Sequence, residues 1–324
     1  MGVFTQLGRT ELTEVAEAFS LGLVRGFQPI VAGTINTNYG LDTEHGRWFV
    51  RVNEGKAEVD VAWEARLVAS LAEGGVTTPA PVRAQDGRPY APLAGMRGKW
   101  VSVFPWRRGR HLAASEVTPQ HAAVLGAALA RLHVVGLALP AAWRRGSIYD
   151  HDHLVTRFSR FQHSMDPALA RAIEVLGEEL AAAAAAAPIR ARATHGIIHG
   201  DLFRDNVLWE GDEVAALLDF EQASGGSLAY DLAVCINDWC WTSRPELALV
   251  RGLVEGYQQV RPLTIGDREA LPIEIRAAAA RFTITRITDV YLARLDNPEK
   301  DFRAFLARSE AWRGPVLGQL SSVL

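Results

Sequence analysis

Two periodicities in the pattern of apolar and polar residues divide the chain. Residues 25–52 alternate from one position to the next, as strands do, with Arg51 on one face and Val50 and Val52 on the other. From Thr118 onward the apolar residues instead recur about every 3.6 positions, as in helices that pack into a core. The pattern predicts an α+β fold, with a small N-terminal antiparallel sheet and helix followed by a larger, mainly helical part.

Capping residues mark helix boundaries in the N-terminal part. Thr10, followed by Glu11, suits the start of a first helix, and Gly74-Gly75 suits the end of a second helix that begins near residue 57. The predicted organisation is an N-terminal lobe over residues 1–104, a connector over 105–110 and a C-terminal lobe over 111–324.

Composition narrows the class of protein. The 324 residues are 22% charged and 48% hydrophobic with a formal net charge of −3, which is typical of a globular chain and offers no broad basic surface to nucleic acid. The acidic residues Glu11 and Glu14 lie where a signal peptide would have its apolar core, so no signal peptide is expected. No stretch approaches the length of about 20 apolar residues that is needed to span a bilayer. Cys235 and Cys240 favour packing over a disulfide. A cytoplasmic protein, away from membranes, is expected.

The most informative stretch is IIHGDLFRDNVLWEGDEVAALLDFE at 197–221. Asp201 lies in a tight loop, where its carboxylate can accept a proton from a hydroxyl group. Asn206, five positions on, can turn its amide oxygen toward a magnesium ion. His199 is expected to brace the loop and to take no part in proton transfer.

A hairpin is expected to complete this arrangement. Two short strands on either side of 210–212 would return Asp219 to the neighbourhood of Asn206, and two such oxygen ligands suit Mg²⁺. The alternative is a polar turn in an ordinary α/β domain. The joint occurrence of Asp201, Asn206 and a hairpin-delivered Asp-Phe pair favours a kinase-type site.

A second candidate region lies between the first two strand patterns. Residues 32–39, AGTINTNY, occupy the place where a kinase fold carries its phosphate-covering loop. The candidate nucleotide contacts here are Gly33, Thr34, Asn36 and Asn38. Because the stretch has one glycine where kinases have three, an ordinary Asn-rich turn stays open as the alternative.

Further nucleotide contacts are expected elsewhere in the N-terminal lobe. Arg51 occupies the strand position where a kinase carries its phosphate-binding lysine, and arginine keeps the charge while changing the geometry. Glu64, on the following helix, is the candidate partner of Arg51; a solvated surface glutamate is the alternative. Val103 and Phe104 are candidates at the end of the last strand, next to the connector.

Three motifs carry a resemblance to a known group of enzymes. HGDLFRDN at 199–206, LLDFE at 217–221 and AYDLA at 229–233 resemble the aminoglycoside phosphotransferase and choline kinase superfamily, which shares the two-lobed protein-kinase-like fold. Within this superfamily the chain is most similar to the bacterial homoserine kinases, through GTINTNY at 33–39, DLFRDNVL at 201–208 and YDLAVCINDWC at 230–240.

The resemblance implies a reaction and roles for individual residues. The reaction would be ATP- and Mg²⁺-dependent phosphorylation of the side-chain hydroxyl of L-homoserine. Asp201 would be the base, Asn206 and Asp219 would hold magnesium, and Arg51 with Glu64 would position phosphate. The D-F-E sequence replaces the D-F-G of protein kinases, which implies constitutive activity without a mobile activation segment.

An amino acid substrate also needs partners for its two charges. Glu221, Asp231 and Asp238 are candidates for its ammonium group, and Arg204 for its carboxylate. Alternatively, Asp231 caps and braces its helix, and Arg204 stabilises the transferring phosphoryl group.

Two rival functions stay open at this point. One is phosphorylation of another small alcohol, such as choline, an aminoglycoside or a sugar amine; Trp239 and Trp241 would suit a quaternary ammonium. The other is nucleotide binding by a regulator that has lost catalysis.

Overall fold

The chain divides into two compact units. The structure, a computed structural model, describes residues 4–31 and 36–320. The first unit joins Met1–Gly109 to the short segment Ala215–Glu221, and the second joins Arg110–Val214 to Gln222–Leu324. Asp219 therefore belongs to the first unit, whereas Asp201 and Asn206 belong to the second.

A five-stranded antiparallel sheet forms the centre of the first unit. Its strands are β1 Val24–Ile30, β2 Thr37–Thr43, β3 Gly46–Asn53, β4 Ala91–Pro92 and β5 Trp100–Pro105. They lie side by side in the order β1-β2-β3-β5-β4. Two helices, α1 Arg9–Ala18 and α2 Glu58–Glu73, accompany the sheet. The predicted sheet and both predicted helices of this part are present.

One face of this sheet carries an apolar core. Val50 and Val52 of β3 and Val103 of β5 are fully buried in a cluster that includes the apolar residues of α1. Because side chains alternate along a strand, Arg51 lies on the opposite face, where its cross-strand neighbours are Asn38 and Ser102. The predicted face assignment of β3 is confirmed.

The second unit is mainly helical. Its helices are α3 Pro119–Ala138, α4 His151–Ser159, α5 Ala170–Ala185, α6 Ala187–Arg190, α7 Leu228–Trp239, α8 Leu247–Val260, α9 Ile265–Arg286, α10 Phe302–Trp312 and α11 Val316–Gln319. Strands β6 His195–Ile198 and β9 Ser224–Ser227 pair antiparallel. Strands β7 Val207–Glu210 and β8 Glu213–Leu217 form the predicted hairpin, with Gly211 at a φ of +60° in the turn. The predicted α+β fold class is confirmed.

Helices α3 and α8 pack closely because glycines remove side chains from their contact. A Cβ atom at Gly126 would lie 2.1 Å from the carbonyl oxygen of Leu253, and one at Gly256 would lie 2.0 Å from that of Ala123. Both distances are far below van der Waals contact, so alanine at either position would force the helices apart.

The expectation about apolar stretches needs a correction. By length and composition, Pro119–Ala138 is a helix that can cross a bilayer, with a mean hydropathy of 1.5. Half of it is buried inside the protein, where Gly126 packs against α8 and Gly136 packs against Ile197 of β6. It is a core helix of the second unit.

One local prediction is also wrong. The first helix is capped by Gly8 and not by Thr10, because the Glu11 carboxylate accepts a hydrogen bond from the Gly8 backbone N–H at 2.8 Å.

Candidate active site

The loop after β6 is shaped by one buried carboxylate. The backbone N–H groups of His199 and Gly200 donate to the two Asp231 carboxylate oxygens, at 2.7 and 2.8 Å. Gly200 adopts a φ of +78°, which favours glycine, and a Cβ atom there would lie 3.2 Å from the Gln222 carbonyl oxygen. These contacts fix the backbone that leads into Asp201.

Asp231 is itself held by a buried hydrogen-bonded chain. His133 Nε2 lies 3.0 Å from the Asp231 carboxylate, and His133 Nδ1 lies 2.7 Å from the Tyr257 hydroxyl; none of the three side chains is exposed. Burial would raise the pKa of Asp231, but the hydrogen bond and charge of His133 and the Gly200 N–H lower it below its usual value. A fully buried carboxylate cannot reach an ammonium group, so that assignment of Asp231 is wrong and its alternative bracing role fits.

The Asp201 carboxylate has a defined set of partners. Its Oδ2 atom accepts a hydrogen bond from Gln222 Nε2 at 2.9 Å, and its Oδ1 atom lies 3.7 Å from Arg281 Nη1. Burial raises the pKa of Asp201, while the charges of Arg281 and His199 act in the opposite direction. A raised pKa makes the carboxylate a better proton acceptor. His199 is fully buried and its Nδ1 accepts from the Asp201 backbone N–H at 3.3 Å, as its bracing role requires.

Arg281 of α9 is a residue of the site that the sequence did not indicate. Its guanidinium carbon lies 4.0 Å from the ring centroid of Tyr149 and 3.8 Å from that of Phe282. It donates a hydrogen bond to Gln222, which in turn donates to Asp201. Arg281 therefore acts on Asp201 directly by charge and indirectly through Gln222. Its helix is rich in alanine, and no motif distinguishes it from other arginines. Gln222 directly follows the D-F-E sequence, and that adjacency is the only signal for it.

Asn206 has its amide in the orientation that a cation ligand needs. The Nδ2 atom donates to the backbone carbonyl oxygen of Asp201 at 2.8 Å. This bond commits the amide nitrogen and leaves the amide oxygen as the atom for a cation. Among residues 4–31 and 36–320, no three His, Cys, Asp or Glu side chains cluster as a metal site. An ion that takes most of its ligands from phosphate and water, as Mg²⁺ does, needs no such cluster.

Arg51 lies at the centre of an ion-pair network in the first unit. Its Nη1 atom lies 2.8 Å from Glu64, its Nη2 atom lies 3.5 Å from Asp219, and its side chain is 11% exposed. Burial alone would lower the pKa of Arg51, but the charges of Asp219, Glu64 and Glu221 raise it above its usual value. The structure thus brings Arg51, Glu64 and Asp219 together, and Glu64 is buried, not a solvated surface residue.

Asp219 has an unusual backbone conformation. Its φ of +61° lies in the left-handed region, where aspartate is tolerated better than most residues. Such conformations cost free energy and concentrate at functional sites. The conformation and the Arg51 contact fit a carboxylate whose direction matters.

Glu221 takes part in the same network. Its carboxylate lies 3.2 Å from Lys56 Nζ and accepts a hydrogen bond from Asn36 Nδ2 at 2.8 Å. Lys56 also pairs with Glu64 at 2.8 Å, so this lysine, which the sequence did not indicate, joins the two glutamates. Glu221 is engaged within the first unit and has no arrangement there that singles it out for an ammonium group.

The remaining nucleotide candidates divide into three groups. Gly33 and Thr34 lie outside the described residues. Phe104 lies on the Arg51 face, with its ring centroid 5.8 Å from the guanidinium carbon, and Asn38 carries a buried Oδ1 atom without a hydrogen-bond partner. Val103 is a core residue: its side chain is fully buried, and its carbonyl oxygen accepts a hydrogen bond from the Val82 backbone N–H at 2.8 Å.

Arg204 and Asp238, predicted to bind opposite charges of the substrate, bind each other. The Nε and Nη2 atoms of Arg204 each lie 3.1 Å from a different Asp238 oxygen, and the Arg204 backbone N–H donates to the same carboxylate at 2.9 Å. This paired, bidentate geometry neutralises both charges. Neither side chain stands ready for a substrate charge.

Comparison with known proteins decides the family. The family model of the phosphotransferase enzyme family matches residues 26–263. This chain belongs to that family. The predicted superfamily resemblance is therefore confirmed, and the D-F-E and H-G-D motifs both lie inside the matched region.

Relatives within the family agree on a name. The homoserine kinase of Acidiphilium cryptum is 34% identical over 299 residues, which cover 89% of each chain. The homoserine kinase of Parvibaculum lavamentivorans is 30% identical over 323 residues, which cover 97% of each chain. The narrower resemblance to bacterial homoserine kinases is confirmed.

A solved structure shares the fold. An amicoumacin kinase in complex with AMP-PNP, Ca²⁺ and its ligand superposes with a TM-score of 0.75 at 14% identity, covering 97% of each chain. At this identity the likeness concerns the fold alone.

Proposed function

We propose that this protein transfers the γ-phosphoryl group of ATP to the side-chain hydroxyl of L-homoserine, giving O-phospho-L-homoserine. The observation that carries the proposal is the agreement of relatives that are 30–34% identical over about nine-tenths of the chain or more. The arrangement around Asp201 supports it, because a partly exposed carboxylate with fixed partners can accept the proton of an alcohol.

In this reaction Asp201 accepts the proton of the attacking hydroxyl. Gln222 holds one carboxylate oxygen, and Arg281 keeps the other under the influence of a positive charge. Transfer of a phosphoryl group passes through a loose transition state, so the protein contributes chiefly by positioning and by balancing charge. The Asp231 contacts to the His199 and Gly200 backbone supply that positioning for the loop.

We assign Asn206, Asp219 and Arg51 to the phosphate groups of ATP. Asn206 offers an amide oxygen and Asp219 a carboxylate, which are the donor types that Mg²⁺ prefers. When bound, Mg²⁺ neutralises the charge of the ATP phosphates. Arg51, fixed by Glu64, provides a cation for phosphate oxygens on the first unit.

A substrate panel tests the proposal. The purified protein is incubated with ATP and Mg²⁺ and with L-homoserine, choline or kanamycin, and phosphorylated products are quantified by mass spectrometry. The expected result is phosphohomoserine at a kcat/KM at least about 100-fold above the other two. A preference for choline or kanamycin would show that the protein is a phosphotransferase with a different substrate. ATP binding without turnover of any alcohol would favour the alternative of a nucleotide-binding regulator.

A cytoplasmic location is part of the same proposal. ATP and reduced thiols are both available there, and Cys235 and Cys240 are free, buried thiols.

A further inference from the structure

The α-carboxylate of an amino acid substrate needs a cation, and most arginines near the Asp201 loop are already engaged. Arg204 pairs bidentately with Asp238. Arg308 donates to the backbone carbonyl oxygens of Asn237 and Ala304, at 2.7 and 2.6 Å. The guanidinium groups of these two arginines are therefore already bound to other groups of the protein.

Arg281 is engaged as well, and it is enclosed. It donates to Gln222 and lies 3.7 Å from the Asp201 carboxylate between two aromatic rings, with only 3% of its side chain exposed. A carboxylate at this position would have to compete with the base itself. Arg281 is thus placed to interact with Asp201 and not to bind the substrate carboxylate.

Arg286, in the same region, has no anionic partner among the residues that the structure describes. It is the last residue of α9 and is partly exposed. Within the described part of the chain, its guanidinium donates one hydrogen bond, from Nη1 to the Asp301 backbone carbonyl oxygen at 3.2 Å, and no carboxylate lies within 4 Å. Its guanidinium carbon lies 4.4 Å from the Phe305 ring centroid, which holds the side chain while leaving N–H groups available.

The charge of Arg286 is incompletely balanced. Burial lowers its pKa, and the charges of Asp238, Asp201 and Asp205 only partly offset this effect. Arg51 shows the contrast, because its direct contacts with carboxylates raise its pKa. A bound anion would balance the charge of Arg286 as Glu64 and Asp219 balance the charge of Arg51.

Arg286 lies on the same helix as Arg281, the arginine beside Asp201. Phe282, one helical turn before Arg286 on α9, has its ring centroid 4.5 Å from that of Phe203 in the catalytic loop. From Arg281, beside the base, to Arg286 the helix rises about 7.5 Å, so the two arginines are separated by little more than one turn. A π-helical segment, Ile287–Tyr291, begins directly after Arg286, and such segments are frequent at functional sites.

We propose that Arg286 binds the α-carboxylate of the amino acid whose hydroxyl is presented to Asp201. This inference rests on the proposed function, because it assumes an amino acid substrate. It replaces Arg204 as the specificity-determining cation and makes Arg286 the residue that distinguishes homoserine from alcohols without a carboxylate.

The test compares two substrates in three proteins. Steady-state kinetics are measured for wild type, Arg286→Gln and Arg268→Gln, with L-homoserine and with 3-aminopropan-1-ol, which is homoserine without its carboxylate. Arg268 is the matched control, since it lies 18 positions before Arg286 on α9 and is also partly exposed, but it donates a hydrogen bond to Gln258 of α8. The Arg286→Gln variant should raise the KM for homoserine about 10- to 100-fold, with kcat changed less than about threefold. Its KM for 3-aminopropan-1-ol and for ATP should stay at the wild-type value, as should every constant of Arg268→Gln.

The outcomes distinguish a failure of the proposed function from a failure of the Arg286 inference. If wild type does not phosphorylate homoserine, the proposed function fails. If wild type does so but Arg286→Gln keeps the wild-type KM, or loses activity equally on both substrates, the Arg286 inference alone is overturned. Should Arg286→Gln fail to fold, Arg286→Lys is measured instead. Lysine keeps the charge without the bidentate fork, so its KM for homoserine should rise about 3- to 10-fold and its KM for 3-aminopropan-1-ol should not.

Discussion

Each compact unit contains a largely buried arginine next to a carboxylate to which we assign a role in the proposed reaction, and the charges of the two arginines are balanced in different ways. Arg51 in the first unit contacts two carboxylates, Glu64 and Asp219, and its pKa is raised. Arg281 in the second unit has one carboxylate at 3.7 Å and is held mainly by the rings of Tyr149 and Phe282.

The roles that we propose for the two arginines account for this difference. A cation that has to receive phosphate is kept in place by carboxylates, which hold it until the ligand arrives. A cation beside a catalytic base must not form a close ion pair, since a tight salt bridge would lower the pKa of the base and weaken it as a proton acceptor. Stacking between aromatic rings positions Arg281 without that cost.

The largest expected effect concerns the group that Arg281 supports. Replacing Asp201 with Asn removes the proton acceptor, so kcat with homoserine should fall by about 10²- to 10⁴-fold while the far-ultraviolet circular dichroism spectrum stays unchanged. The control is Asp212→Asn, in the exposed turn of the same stretch, where kcat should stay within about twofold. Near-normal turnover by Asp201→Asn would remove Asp201 as the base.

A second effect tests the bracing of the loop in the second unit. Asp231→Asn leaves buried N–H donors and His133 without a carboxylate, so the free energy of unfolding should fall by about 3 kcal/mol in urea denaturation. Because the folded state lowers the pKa of Asp231, wild type should lose this contribution as the pH falls below about 4, and Asp231→Asn should not. Exposed Asp152 offers the matched control, and a loss under about 0.5 kcal/mol in Asp231→Asn would contradict the bracing role.

A smaller effect is expected at Arg51. Arg51→Met should raise the KM for ATP about tenfold through the loss of charge-assisted hydrogen bonds, and Arg51→Lys should raise it less. The KM for homoserine should stay unchanged in both variants. If Arg51→Met raised the KM values for homoserine and for ATP equally, Arg51 would have a structural role, and the proposed contrast with Arg281 would be contradicted.

The two arginines also differ in how far the sequence reveals them. Arg51 follows from strand alternation and the kinase pattern, because a strand position predicts the face on which a side chain lies. Arg281 comes from a helix 80 positions beyond Asp201, and packing between distant elements leaves no local signal. Asp231 and Asp238 were predicted to meet the ammonium group of the substrate, but every residue of α7 except Tyr230 is buried. Each of the two carboxylates therefore binds a neighbouring element of the protein. Local spacing predicted the loop and hairpin; it could not predict which charges would already be paired.

The most direct test of the central claim, that Asp201 accepts the substrate proton, is the pH dependence of kcat/KM for wild type and Arg281→Met. Because burial raises the pKa of Asp201, the acidic limb of wild type should lie above the ordinary carboxylate value of about 3.9. Removing the Arg281 charge should move this limb to still higher pH and leave the KM for ATP unchanged. An acidic limb that stays in place or moves to lower pH in Arg281→Met would contradict the account.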